Sequence, residues 1–321
     1  WARSLRGTGK YFSGMSGVVR QFTTGLTNFN EVQSASGARP LSMIIDGAHA
    51  GTDATNPSDP STGADFTQSI LAGKAHAASG GLLEMNYHAV NPINGLSTNQ
   101  HPGSMPTNTQ VGRMSVPGTS ENAAFVANYL GPLRTALLSF QADRIPVWLR
   151  LFHEWGFWWS FESYGISKAN LRALWIYAYQ WLWANDVHNI ITVYGGKGAA
   201  GEFADDWRPP WSMIDSVGLS IYDTPSSSFD YPFYAELTAQ DKICFAGEFG
   251  PATWSPSFQA VLGYNAVTGL LAAHADEPSW VGDIWWWDPF DIYASASNGV
   301  PYMQDSRVIN LGESTWLDFL V

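Results

Sequence analysis

Pro146-Val147-Trp148-Leu149-Arg150-Leu151-Phe152-His153-Glu154-Trp155-Gly156-Phe157-Trp158-Trp159 is a short apolar run that ends on Arg, His and Glu and then breaks into Trp and Gly. A buried strand reads this way when its last residues emerge into a site. In a β/α barrel the C-terminal ends of the strands carry the chemistry. A carboxylate at such a point, ringed by indoles, suits protonation of a sugar oxygen while the rings hold the sugar.

Working outward, seven more short apolar runs share the chain with this one. The full set covers residues 10–15, 41–46, 82–88, 146–153, 189–194, 214–222, 242–248 and 281–287. Most are too apolar for a one-sided sheet, as expected of parallel strands covered on both faces. Helical periodicity separates them. Residues 122–141 repeat Phe125, Val126, Tyr129, Leu130, Leu133, Leu137 and Leu138, and residues 168–185 repeat Leu171, Leu174, Trp175, Ala178, Trp181 and Leu182. Ser167 or Ser163 can cap the second helix, and a further helical pattern covers 65–78. Alternating runs of this kind predict an α/β fold, a (β/α)8 TIM barrel with long loops at the C-terminal face of the strands. Residues 1–321 read as a single catalytic domain, since no repeat, low-complexity tract or linker interrupts them. Polar insertions at 88–121 and 223–240 follow strand ends and are expected to border the mouth.

Composition narrows the partners. The chain has 321 residues, 45% hydrophobic but only 14% charged, with a formal net charge of −12. Such a surface repels nucleic acid and anionic membranes and suits a neutral polysaccharide. No stretch of about 18 apolar residues predicts a membrane span. We expect a secreted monomer whose export signal has been removed. Cys244 stands alone in an apolar run and reads as a small core residue. No His, Cys, Asp and Glu cluster has metal-ligand spacing, and nothing demands a cofactor.

The candidate chemistry rests on Glu154 and Glu248. Glu248 ends the run Ile243-Cys244-Phe245-Ala246-Gly247-Glu248. Each Glu sits where an apolar strand stops, and glycosidases need two carboxyls flanking one bond. Taken singly, either Glu could be a strand-end carboxylate paired with an Arg. The second constellation is aromatic, drawn from 16 Trp. Trp158 and Trp159 follow Glu154. Trp285 and Trp287 share a face in Trp285-Trp286-Trp287 by strand alternation. Trp175, Trp181 and Trp183, on a helical stretch, read as core. Arg150, His153, His88 and Tyr222 complete the expected sugar site, each near a strand end. In an ideal strand Arg150, Phe152 and Glu154 share one face. Zinc-protease, nucleophile-elbow and phosphate-loop motifs all fail, on Phe157, on the residues after Ser220 and on Tyr11 respectively.

These residues resemble glycoside hydrolase family 26. Gly9-Lys10-Tyr11-Phe12-Ser13-Gly14 is similar to the family's first strand, and residues 80–88 with Asn91-Pro92 to its third. Arg150-Leu151-Phe152-His153-Glu154 resembles the acid/base motif, 215–222 strand six, and Ala246-Gly247-Glu248-Phe249-Gly250 the nucleophile motif. The resemblance implies a retaining endo-acting glycosidase, with Glu154 as general acid/base and Glu248 as nucleophile. It implies that Tyr222 holds Glu248 and that His153 and His88 contact the sugar. One of Trp158 and Trp159, and one of Trp285 to Trp287, would stack on it. Mannan is the substrate it implies first, by double displacement, with carboxyls roughly 5–5.5 Å apart. The chain departs from the family after Glu154, where the segment is short, and at Ser220, where the family often has Asp. β-1,3-Xylan and mixed-linkage β-glucan are alternative substrates on the same scaffold. A non-catalytic carbohydrate-binding protein would use the Trp residues but would not need the two Glu residues. A polysaccharide lyase fits poorly, because an acidic surface repels uronates.

Overall fold

A barrel of parallel strands organises the chain. The computed structural model describes residues 2–6, 8, 10–16, 27–46, 66–87, 91–94, 106–152, 165–196, 208–221, 234–249, 279–285 and 299–313. Its strands are β1 (Tyr11–Ser16), β2 (Ser42–Asp46), β3 (Leu82–Asn86), β4 (Val147–Arg150), β5 (Ile190–Gly196), β6 (Ser216–Ile221), β7 (Ile243–Phe249), β8 (Trp280–Trp285) and β9 (Val308–Ile309). The first eight pair in sequence order and β8 returns through β1 to β2, every ladder parallel, so the sheet closes as a (β/α)8 barrel. Each lies within or beside one of the eight apolar runs. β9 was not anticipated, because two residues show no period. It pairs with Tyr11 and Phe12 at the start of β1, ahead of the point where β2 takes over at Gly14. Ser13 closes that seam: its hydroxyl donates to Asn310 Oδ1 at 2.8 Å and accepts from the Leu41 N–H at 3.1 Å.

Alternation sorts the strand residues into two cores. Met43 and Ile45 on β2, Leu83 and Met85 on β3, Val147 and Leu149 on β4, and Cys244 and Ala246 on β7 join the large cluster shared with the helices. Phe12, Ile44, Trp148, Val193, Phe245 and Val281 form a separate cluster inside the barrel. At its centre Trp148 meets Phe12 edge-on at 5.8 Å and Phe245 at 5.0 Å. The short 3-10 helix Ala2–Leu5 adds Ala2 and Leu5 to this cluster from below. The interior is thus a packed aromatic plug, not a pore.

Helices α1 (Thr27–Ser36), α2 (Thr67–Ala78), α3 (Asn108–Met114), α4 (Ser120–Phe125), α5 (Gly131–Ala142), α6 (Lys168–Ala184), α7 (Tyr234–Ala239) and α8 (Gly299–Gln304) lie between or after the strands. The pattern expected as one helix over 122–141 is two, joined by a π segment, Val126–Leu130. Pro132 is the second residue after it. It has no N–H for the carbonyl of Asn128, so the turn widens and Gly131 N–H bonds Val126 O instead. At α6 the cap is Ser167, not Ser163: its hydroxyl accepts from the Asn170 N–H. Trp175 is buried and Trp181 packs against the core, but Trp183 is 36% exposed. The core reading fails for Trp183 because it lies one step off the apolar stripe, with Tyr179 as its ring neighbour at 6.1 Å. Cys244 is buried as expected. Among the described residues no helix is long and apolar enough to cross a membrane.

His76 on α2 carries a titratable cost of burial. Its Nε2 donates to the Leu41 carbonyl at 2.9 Å, and burial, with Arg39 adding a smaller push, lowers its pKa from 6.5 to about 4. The fold therefore favours the neutral ring. That contribution is complete above about pH 6.5 and is lost as pH falls toward 4, on the order of 3 kcal/mol in all. His76→Gln will flatten the fall in melting temperature between pH 6.5 and 4. Parallel acid limbs in the two proteins would refute this.

Candidate active site

The last residues of β3, β4, β6 and β7 bring one charged layer to the C-terminal end of the barrel, directly above the aromatic plug. Arg150 ends β4 and has no exposed surface. Its Nε hydrogen is shared between Glu84 Oε1 at 3.0 Å and Asn86 Oδ1 at 3.1 Å. Its Nη1 donates to Ser220 Oγ at 3.2 Å, and its Nη2 to Glu248 Oε1 at 2.5 Å. Asn86 Nδ2 donates to the same Glu248 oxygen at 2.9 Å. Glu248 is therefore held by two donors from two strands and is 2% exposed. A planar guanidinium can serve four acceptors at once because its five N–H groups fan out in a fixed fork.

Two glycines make the space for that fork. A Cβ on Gly218 of β6 would lie 2.9 Å from Val193 Cγ1 and 3.0 Å from Arg150 Cδ. A Cβ on Gly247 of β7 would lie 3.0 Å from Arg150 Cζ and Nε. Gly247 is also the extra residue of a bulge: Leu219 pairs with Ala246, and Ser220 with Glu248. Bulges re-aim side chains. Regular alternation from Phe245 would give the interior to position 247. The bulge gives it to Glu248, over a residue with no side chain to obstruct it.

The strand-four motif departs from ideal alternation just after Arg150. Leu151 and Phe152 form a turn, and Phe152 has φ of 51°. A bulky residue in the left-handed region is strained by roughly 1–3 kcal/mol. Packing holds it there. The Phe152 ring stacks on Tyr129 at 5.5 Å and on Phe125 at 6.4 Å, in the helix-side core. Phe152 therefore does not share a face with Arg150. The chain is redirected one residue before His153 and Glu154.

Glu84 was not anticipated as part of the site. It lies two residues deeper on β3 than Asn86, level with Trp148 and Ile44 in the ladders. It is 1% exposed. Burial raises its pKa from 4.5 to about 8. Arg150 opposes the shift, and the charge of Glu248 adds to it. The cue in the sequence was a polar residue at every second position of an apolar run, Glu84 and Asn86 in Leu82-Leu83-Glu84-Met85-Asn86. The same alternation marks Ser220 beyond Gly218.

Of the expected site residues, Glu248 and Arg150 are brought together. The side chain of Trp285, at the end of β8, is not described, and His88, His153, Glu154, Trp158, Trp159, Tyr222 and Trp287 lie outside the described residues. The reading of Glu248 as a strand-end carboxylate paired with an Arg holds geometrically, and a nucleophile has the same need to be gripped. Among the described residues no group of His, Cys, Asp and Glu is placed to hold a metal ion.

A parallel (β/α)8 barrel with carboxyls at the C-terminal strand ends is a scaffold that hosts many chemistries. The match to a glycoside-hydrolase family model makes this one a glycoside hydrolase. Residues 1–261 match the model of glycosyl hydrolase family 26, and the chain belongs to that family. No curated protein sequence matches it. Among solved structures it is similar to a Bacillus subtilis mannanase, with a TM-score of 0.78 and 22% identity over 98% of this chain and 91% of that one. It is similar to an endo-β-1,4-mannanase double mutant from Cellulomonas fimi, at 0.74 and 20% over 98% and 75%. A third is the β-mannanase of a symbiotic protist of the termite Reticulitermes speratus, complexed with gluco-manno-oligosaccharide, at 0.71 and 18% over 97% and 91%. At these identities the structural likeness is one of fold.

Proposed function

We propose that this glycoside hydrolase cleaves β-1,4-mannosidic bonds within mannan chains by double displacement, acting outside the cell. The observation that carries the reading is Glu248 at the end of β7, gripped by Arg150 and Asn86, in a family 26 chain. Glu248 attacks the anomeric carbon while Glu154, protonated, donates to the leaving oxygen. Water then hydrolyses the glycosyl-enzyme, with Glu154 as base. Two N–H donors on one oxygen keep the Glu248 carboxylate from rotating, which favours a near-attack geometry. His88, His153 and Tyr222 bind and orient the reacting sugar and the nucleophile, and indoles from Trp158 or Trp159 and from Trp285 or Trp287 stack on sugar rings. The preference for mannan draws on the mannanases whose fold this chain shares. The acidic, sparsely charged chain suits a neutral polymer.

Linear β-1,4-mannan, β-1,3-xylan and mixed-linkage β-glucan should be compared by release of reducing ends, with proton NMR of the first-formed anomer. We expect release from mannan, with the β-anomer first. Release confined to either of the other polymers would overturn the substrate. An α-anomer formed first would overturn the double displacement.

A further inference from the structure

Two carboxyls share one guanidinium inside this barrel, and they are not equivalent. Glu248 lies at the strand ends, gripped by Arg150 and Asn86. Glu84 lies a layer deeper, between Ile44 and Trp148 in the ladders and level with the aromatic plug. Its Oε1 accepts from Arg150 Nε, while Oε2 has no hydrogen-bond partner among the described residues. An ionised carboxylate offers about four lone-pair sites and is costly to bury with one of its oxygens unpaired. A carboxylic acid still serves Arg150 through one acceptor oxygen and carries no charge to solvate, and an unpaired O–H costs less to bury than an unpaired carboxylate oxygen.

We propose that Glu84 is a neutral carboxylic acid in the working protein and a positioning residue. It holds the Arg150 guanidinium by an acceptor oxygen without competing for its charge, so that the charge is committed to Glu248. The idea rests on the reading of Glu248 as nucleophile for its catalytic consequence only; the protonation state of Glu84 is independent of it. The groups around Glu84 agree. Among the described residues, the charged or titratable groups that act on it are Arg150 from β4, Glu248 from β7 and Tyr179 from α6. Asp46, which pairs with Asn86 in the β2–β3 ladder, stands one layer above. Among the described residues the cation that acts on Glu84 is Arg150, and it already serves Glu248. Burial raises the Glu84 pKa to about 8, which keeps the proton on at neutral pH.

Above that point Glu84 ionises, and among the described residues two carboxylates, Glu84 and Glu248, then face Arg150. The folded pKa lies above the unfolded value of 4.5. The contribution of Glu84 to stability is therefore fully present below about pH 4.5 and is lost as pH rises to about 8.

The first test needs no substrate. Infrared spectra of wild type and Glu84→Gln at pH 6 should differ by the C=O stretch of a protonated carboxyl, present only in wild type and fading between pH 7 and 9. Relative to wild type, the melting temperature of Glu84→Gln should rise by several degrees from pH 5 to pH 8 and stay level above. Absence of the band, or a constant difference in melting temperature, would overturn the proposal. The positioning role is read on mannan. Glu84→Gln keeps an acceptor for Arg150 Nε and Glu84→Met does not, so kcat for the Gln variant should exceed that for the Met variant about tenfold, with little change in KM. Equal losses in the two would mean that a charge at 84 is needed, and would also overturn it. A wild type inactive on mannan would count against the proposed function and leave the infrared and melting tests standing.

Discussion

Glu248→Ala will lower hydrolysis of mannan by at least about 10⁴-fold while binding of manno-oligosaccharides persists. Removing a covalent nucleophile takes away an entire pathway, and losses of this size are the rule for such groups. The space vacated lies beside two N–H donors, Arg150 Nη2 and Asn86 Nδ2, that converged on Glu248 Oε1. A small anion such as azide can enter there and attack the anomeric carbon of an activated β-mannoside. The leaving group departs with its bonding electrons, and an α-mannosyl azide remains. Formation of that product by the Ala variant, and not by wild type, identifies Glu248 as the nucleophile. A variant that keeps more than about a tenth of wild-type activity would exclude it.

Arg150→Met will cost stability as well as activity. The guanidinium is fully enclosed, is the counter-charge of Glu248 and donates to Glu84. A buried ion pair adds little net stability, yet removing one partner strands the other, typically at about 3–5 kcal/mol. That is a large share of the roughly 5–15 kcal/mol by which domains are stable. We expect a fall in melting temperature of roughly 5–15 °C and loss of at least about 100-fold in kcat, because Glu248 loses the Arg150 donor. Arg150→Lys should recover little, since a point charge cannot serve Glu84, Ser220 and Glu248 together. Adding Glu248→Gln to Arg150→Met should return part of the stability and none of the activity, which separates charge from shape. A Met variant as stable as wild type would show that the charged layer is not under this constraint.

The strands were legible because a barrel strand is covered on both faces, and an apolar run bounded by polar turns can be read without knowing its neighbours. The long helices were legible from their period. The π segment at Val126–Leu130 was not, although its cause, Pro132, stands in the sequence, because the apolar spacing runs through it unbroken. Glu248 was read from its place at the end of an apolar run. Its grip by Arg150 could not be, because β4 and β7 are not neighbours in the ladder and meet only across the closed barrel.

Residue order was enough for the barrel, the strand ends that carry the chemistry, and Glu248 as a candidate there. Those depend on local patterns of burial and polarity, which each segment carries on its own. The partners came from barrel closure. It gave Arg150 to the interior, put Glu84 beneath it level with the aromatic plug, and used Gly218 and Gly247 as the slot for its side chain. A side chain's charge state and task depend on what closure places within a few ångströms of it, and those neighbours come from strands tens of residues away.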